Sequence, residues 1–125
     1  MKPEILVMDE PTSNLDPRSK KEVLTLRRAL QKNGTTIITA THDVNIVPLI
    51  ADKILLLDRK VMAYGKVREI LRKREMLDEL GLDAPILVNL FESLNDNGLQ
   101  IADIPFTNEE AVEAIKVLIA DDRKK

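Results

Sequence analysis

Four side chains in this sequence could do chemistry together. Asp9 and Glu10 are adjacent acids that end a short apolar run, "ILVM". A third acid, Asp16, closes the turn-rich stretch "PTSNLD" that follows. The single histidine, His42, ends a second, β-branched run, "TTIITAT". A carboxylate at a strand end can hold a hard cation. A neighbouring one can take a proton from water, and an imidazole can donate to a developing anion. An acid after an apolar run is a weak signal by itself, because many strands stop where solvent begins.

The elements around these residues sharpen the signal. Ile5–Met8 reads as a strand covered on both faces. Asp16 followed by Pro17 starts a helix, with an acid as N-cap and proline at the first helical position. That helix is expected to run to about Lys32, with Val23, Leu26 and Leu30 on its apolar face. Asn33-Gly34 then stops it. Residues 35–41 form the second strand, so strand, helix and strand make a βαβ unit with a parallel pair. Glu10 and His42 thus fall at equivalent strand ends, where open α/β sheets bind ligands.

Beyond His42 a short helical stretch to about Ala51 is expected, interrupted or restarted at Pro48. "KILLLD" (53–58) is a third strand, and "VMAYG" (61–65) is its hairpin partner through Asp58-Arg59-Lys60. Tyr64 ends that strand. Val67, Ile70, Leu71, Leu77 and Leu80 mark one or two helices between Lys66 and Leu80, and "GLDAP" breaks them. Leu87, Leu90, Phe91 and Leu94 mark the apolar face of another helix, stopped near Asn97-Gly98. Thr107 and Glu110 form a capping box for a last helix bearing Val112, Ile115 and Ile119. "DDRKK" is a solvated tail, and Arg72-Lys73-Arg74 is a solvated helix face.

The motifs in their order resemble the Walker B half of an ATP-binding-cassette (ABC) ATPase. "ILVMDEP" resembles Walker B with its catalytic glutamate, "SNLD" the D-loop, and His42 in "TATHD" the switch histidine. The fold class implied is α/β: the C-terminal half of a P-loop NTPase (RecA-like) parallel sheet, followed by a helical C-terminal extension. Residues 1–65 would be the partial nucleotide-binding domain and 66–125 the extension. The resemblance implies ATP and Mg²⁺ as cofactors. Asp9 would hold the metal through a water, Glu10 would orient or deprotonate the attacking water, and His42 would reach the γ-phosphate. Ser13, Asn14, Leu15 and Asp16 would lie at the seam with a second ATPase subunit. Lys60 departs from the family, which usually has glycine in that hairpin turn.

The P-loop pattern G-x-x-x-x-G-K-[ST] is absent from these 125 residues, whose four glycines are Gly34, Gly65, Gly81 and Gly98. The family's signature motif, glutamine loop and adenine-stacking aromatic are missing as well. The sequence would continue upstream of Met1-Lys2 in the family, so the chain is expected to be a piece of a longer domain. In the family's sheet a P-loop strand lies between the 35–41 and 53–58 strands. Neighbouring strands sit about 4.8 Å apart, so a native-like placement leaves a slot of roughly 9.6 Å there. That slot is expected to be filled by another chain or the tail, or else to leave the fragment prone to edge pairing.

"GLDAPILVNLFESLNDNGLQIADIPFTNEEAVEAI" resembles the C-terminal extension of ATP-binding subunits of energy-coupling-factor importers, especially the cobalt/nickel group. The resemblance implies a second ATPase subunit and a transmembrane coupling protein as partners, at the cytoplasmic face of the membrane. Alternatives are the ATPase of another ABC transporter, a soluble cassette protein, or a remnant without activity. The soluble cassette proteins carry long coiled-coil heptads, which are absent. Bulk properties agree. A net charge of −2 gives no support for nucleic-acid binding, and there is no cysteine for a disulfide or thiolate site. No apolar run approaches the roughly 20 residues that cross a bilayer.

Overall fold

The computed structural model describes residues 4–123. Met1, Lys2, Lys124 and Lys125, on which parts of the readings above fall, lie outside the described residues. The elements are β1 (Ile5–Asp9), α1 (Pro17–Lys32), β2 (Thr36–Ala40), α2 (Val47–Ile50), β3 (Lys53–Asp58), β4 (Lys60–Lys66), α3 (Val67–Ile70), α4 (Arg74–Glu79), α5 (Ile86–Asp96) and α6 (Asn108–Arg123). By compactness the chain divides after Asp43. The boundary expected from motif content falls instead at 65/66.

The first unit is the βαβ motif. β1 and β2 pair in parallel, with Ile5 opposite Thr36 and Asp9 opposite Ala40. α1 begins as its sequence dictates: the Asp16 side chain accepts from the Ser19 N–H at 2.7 Å, and Pro17 fills the first position, where no donor is needed. It ends at Asn33, and Gly34 takes φ +90°. The face of the helix departs from expectation. Leu26, assigned inward, is 58% exposed, whereas Arg27 is 3% exposed. The inward row is Val23, Leu24, Arg27 and Leu30, so the covered face keeps Val23 and Leu30 but is turned by roughly 60° from the expected one, towards Arg27. The Nε and Nη1 atoms of Arg27 are buried without a hydrogen-bond partner.

The second unit is built on a hairpin and helices. β3 and β4 pair antiparallel with an irregularity at Leu56/Leu57, and Arg59 turns the chain at φ +62°. Among the described residues the strands form two two-stranded sheets, β1 with β2 and β3 with β4. Leu56 from the hairpin shares one core with Val67, Ile70, Leu71, Leu77, Val88 and Phe91. The strands after Asp43 therefore belong physically with the helices that follow them.

Two further helix faces differ from expectation. On α5, Val88 and Phe91 are fully buried while Leu90 is 50% exposed. On α6, the buried residue is Ala111; Val112, Ile115 and Ile119, the apolar residues that marked this helix, are all about half exposed. The helix also continues through Asp121–Arg123, which were read as tail. Its start agrees in part with a capping box: the Glu110 N–H donates to Thr107 Oγ1 at 3.2 Å. The Glu110 carboxylate turns instead to the Thr107 hydroxyl and to Arg68. Arg72 and Arg74 are not simply solvated, since both reach Glu92 on α5, at 3.6 and 3.1 Å.

Candidate active site

The parallel register fixes the site. Asp9 lies opposite Ala40 at the last paired positions, so the residues that follow, Glu10 and Thr41, leave the sheet side by side. The ladder's last link is the Glu10 N–H donating to Ala40 O at 2.8 Å. Glu10 then takes φ +45°, a left-handed conformation rare for a residue with a Cβ.

Three donors from one short segment fix the Glu10 carboxylate. The Thr41 hydroxyl donates to Oε2 at 3.0 Å, and the His42 N–H donates to Oε1, also at 3.0 Å. His42 Nδ1 lies 2.6 Å from the same Oε1. An ionised carboxylate only accepts, so Nδ1 carries the hydrogen and Nε2 is left for another partner. The imidazole is 80% exposed. Thr41 Oγ1 in turn accepts from the Asp43 N–H at 3.0 Å, which leaves its own proton for Glu10. Burial pulls the Glu10 pKa up, but the bonds from Thr41 and His42 outweigh it and set the group below its ordinary value.

Asp9 is exposed beside this cluster, and among the described residues its carboxylate makes no hydrogen bond or ion pair. The turn after Glu10 is tight: Ser13 N–H donates to Glu10 O at 3.1 Å, and Asn14 sits at φ +61°. Thr12 is buried beneath it, while Ser13, Asn14 and Asp16 face outward and Leu15 is half-buried. The Asp16 carboxyl is held below its ordinary value, chiefly by the Ser19 backbone N–H. The structure thus brings Glu10 and His42 into contact and leaves Asp9 and Ser13–Asp16 around them. Thr41 is the partner of Glu10 that motif reading did not single out. Its signal was the register: a hydroxyl one residue past the partner strand falls opposite Glu10.

No protein-family model matches the chain. Individual proteins do. Over 118 residues, 94% of this chain, it is 42% identical to MJ1572 of Methanocaldococcus jannaschii, whose name describes an ABC transporter ATP-binding protein; the match covers 41% of that protein. Over 117 residues it is 37% identical to the energy-coupling factor transporter ATP-binding protein EcfA2 of Streptococcus pyogenes, and covers 42% of it. This chain is homologous to a part of ABC transporter ATP-binding proteins. It spans about two fifths of the length of the curated relatives it matches. Among solved structures, CbiO1 of Clostridium perfringens, part of the ABC transporter complex CbiONQ, aligns with TM-score 0.51 at 35% identity. That alignment covers 72% of this chain and 37% of CbiO1. The α/β architecture is therefore similar to that of an ABC ATPase.

The donor set can be tested against the family's metal. No group of three or more His, Asp or Glu side chains among the described residues is arranged to hold a metal ion. One exposed carboxylate, Asp9, does fit Mg²⁺ bound to a nucleotide, because that ion keeps several waters and takes phosphate oxygens with only one or two carboxylates. No helix of the described residues is long and apolar enough to cross a membrane.

Proposed function

We infer that this chain is the C-terminal part of an ATP-hydrolysing ABC importer subunit of the energy-coupling-factor type, with cobalt or nickel as cargo, and that Glu10 is its catalytic base. The observation that supports this reading is the Glu10 carboxylate, held at the end of β1 by Thr41 and His42 from the end of β2. The similarity to EcfA2 and CbiO1 supports the transporter type.

An ionised carboxylate offers about four acceptor positions. Two donors occupy Oε1 and one occupies Oε2, so one position on Oε2 remains for the attacking water. That oxygen takes the water's proton as the water's oxygen bonds to the γ-phosphorus and the bond from that phosphorus to the β,γ-bridging oxygen breaks, releasing ADP. Hydrogen bonding makes Glu10 a weaker base but fixes its direction, and phosphoryl transfer depends mainly on positioning and charge stabilisation. His42 keeps Nδ1 on Glu10 and turns Nε2 to the γ-phosphate. It donates there only as the imidazolium, with hydrogens on both nitrogens. Asp9 would hold Mg²⁺, and that ion when bound would supply neutralisation of the phosphate oxygens.

In this reading 1–65 is the motif-bearing part of a P-loop NTPase domain and 66–125 its helical extension. Ser13, Asn14, Leu15 and Asp16 meet a second ATPase subunit, and a transmembrane coupling protein anchors the pair at the cytoplasmic face. The test is a chimera that joins this chain to the part of EcfA2 upstream of the matched region. Glu10→Gln should lower turnover by about 10²–10⁴-fold and leave ATP affinity within about twofold, because a base helps the transition state and not the ground state. Equal loss of binding and turnover refutes the base assignment.

A further inference from the structure

α6 is the least covered long helix of the second unit. Ala111 is its one buried residue, and Val112, Ile115, Val117 and Ile119 are 46–59% exposed. Along one side of it, residues 100–105 and the helix enclose a groove of about 630 Å³. Apolar side chains line part of this groove: Ile101, Pro105, Ala114, Val117 and Leu118. Apart from Gln100, the remaining polar lining is acidic. Asp103, Glu109, Glu110, Glu113 and Asp121 line it, and no lysine or arginine does. Glu110 is engaged by Arg68, and Glu113 has Lys116 at 3.4 Å.

The acids are not scattered. Glu109, Glu113, Val117 and Asp121 follow one another at four-residue intervals, which puts them in one row along the helix. Twelve residues separate the first from the last, about 18 Å or three turns. An apolar lining with a row of carboxylates beside it is complementary to a helix that carries apolar residues on one face and lysine or arginine along its flank. The single sign of the lining argues against two other occupants. A second copy meeting the same patch across a two-fold axis would set carboxylate against carboxylate. An anionic lipid surface would be repelled in the same way. Nor do the acids converge as a metal site.

We propose that the groove between residues 100–105 and α6 is the docking site for a basic amphipathic helix of a partner protein. The proposal is independent of catalysis at Glu10. The probe is a fluorescein-labelled peptide of leucine and lysine, about 18 residues or five helical turns long, with leucines at helical spacing. One control has the same composition scrambled to remove the apolar face, and another has glutamate in place of lysine. With the full 125-residue chain, fluorescence anisotropy should show micromolar binding of the probe. It should weaken at least about tenfold between roughly 50 and 300 mM NaCl, because exposed charges are screened. Amide shift changes in NMR should fall within residues 100–121. The double variant Glu113→Lys/Asp121→Lys, and separately Val117→Glu, should each weaken binding at least about tenfold, with far-UV circular dichroism unchanged as expected for exposed positions. Equal binding of the scrambled peptide overturns the proposal. So do shift changes confined to other residues, and so does self-association in sedimentation velocity that the α6 variants abolish, which would make the occupant a second copy.

Discussion

Replacing Arg27 with methionine should stabilise the first unit. Arg27 is the most buried residue of α1, and it stands in the inward row with Val23, Leu24 and Leu30. Burial pulls its pKa down from the usual arginine value, the sign of a charged form poorly accommodated. Its Nε and Nη1 hydrogens have no acceptor. Each unsatisfied buried donor costs about 1–3 kcal/mol, and the larger figures belong to charged groups. Methionine keeps an unbranched stem of similar reach while removing both donors and the charge. Some strain from imperfect packing, up to about 1.5 kcal/mol, is set against that gain. The net expectation is a stabilisation of about 1–3 kcal/mol. Urea titration followed by circular dichroism reads it as a rise in midpoint without a change in slope. Amide exchange in β2 should slow in parallel. Arg27→Ala should gain less, because it also leaves a cavity. A methionine variant that is less stable than the parent by about 1 kcal/mol or more would show that the guanidinium makes a favourable interaction, and the reasoning from orphaned donors would fail.

Three other outcomes follow from sites already described. The purified 125-residue chain should show no steady-state ATP turnover above background, since it has no P-loop to cradle phosphates; turnover abolished by Glu10→Gln would contradict this. Phe91→Ala should destabilise the second unit by about 3–5 kcal/mol and Leu90→Ala by no more than about 0.5 kcal/mol, and the denaturation midpoint of the Leu90 variant, read against that of Phe91, tests whether Leu90 shares the covered face as periodicity suggests. Arg68 holds the Glu110 carboxyl below the ordinary value of 4.5, so the pair's contribution is present above that pH and is lost as pH falls through the lower folded value; both side chains are partly exposed, so the effect is small, and Arg68→Gln should flatten the acid limb of a stability-versus-pH curve.

What was legible in the sequence was mostly local. Asp16-Pro17 and Asn33-Gly34 carry their own capping chemistry, so both ends of α1 could be read without knowing its neighbours. The strands at Ile5–Asp9 and Thr36–Ala40 were legible for the same reason, and their parallel pairing followed from the length of the crossover. Side-chain faces were less legible. Periodicity says that a helix has an apolar stripe, but which stripe is covered depends on what the fold packs against it. On α1, α5 and α6 the most hydrophobic reading chose Leu26, Leu90 and the Val112–Ile115–Ile119 stripe, and the structure leaves all of them outside. In the site, adjacency of Glu10 and His42 was implied by equivalent strand ends. Thr41 needed the register itself, because nothing in its type or local sequence marks a threonine as a carboxylate's partner.

The left-handed backbone at Glu10 gives that position a history as well as a geometry. A residue with a Cβ held at φ +45° costs on the order of 1–3 kcal/mol, and glycine would be spared most of it. Substitution to glycine relieves that strain, gives up the bonds from Thr41 and His42, and ends anything that uses the carboxylate. Populations of this gene selected in the laboratory for folding alone should drift to glycine or asparagine at position 10 early. Populations selected for work done at the carboxylate should hold glutamate and accumulate their stabilising changes elsewhere.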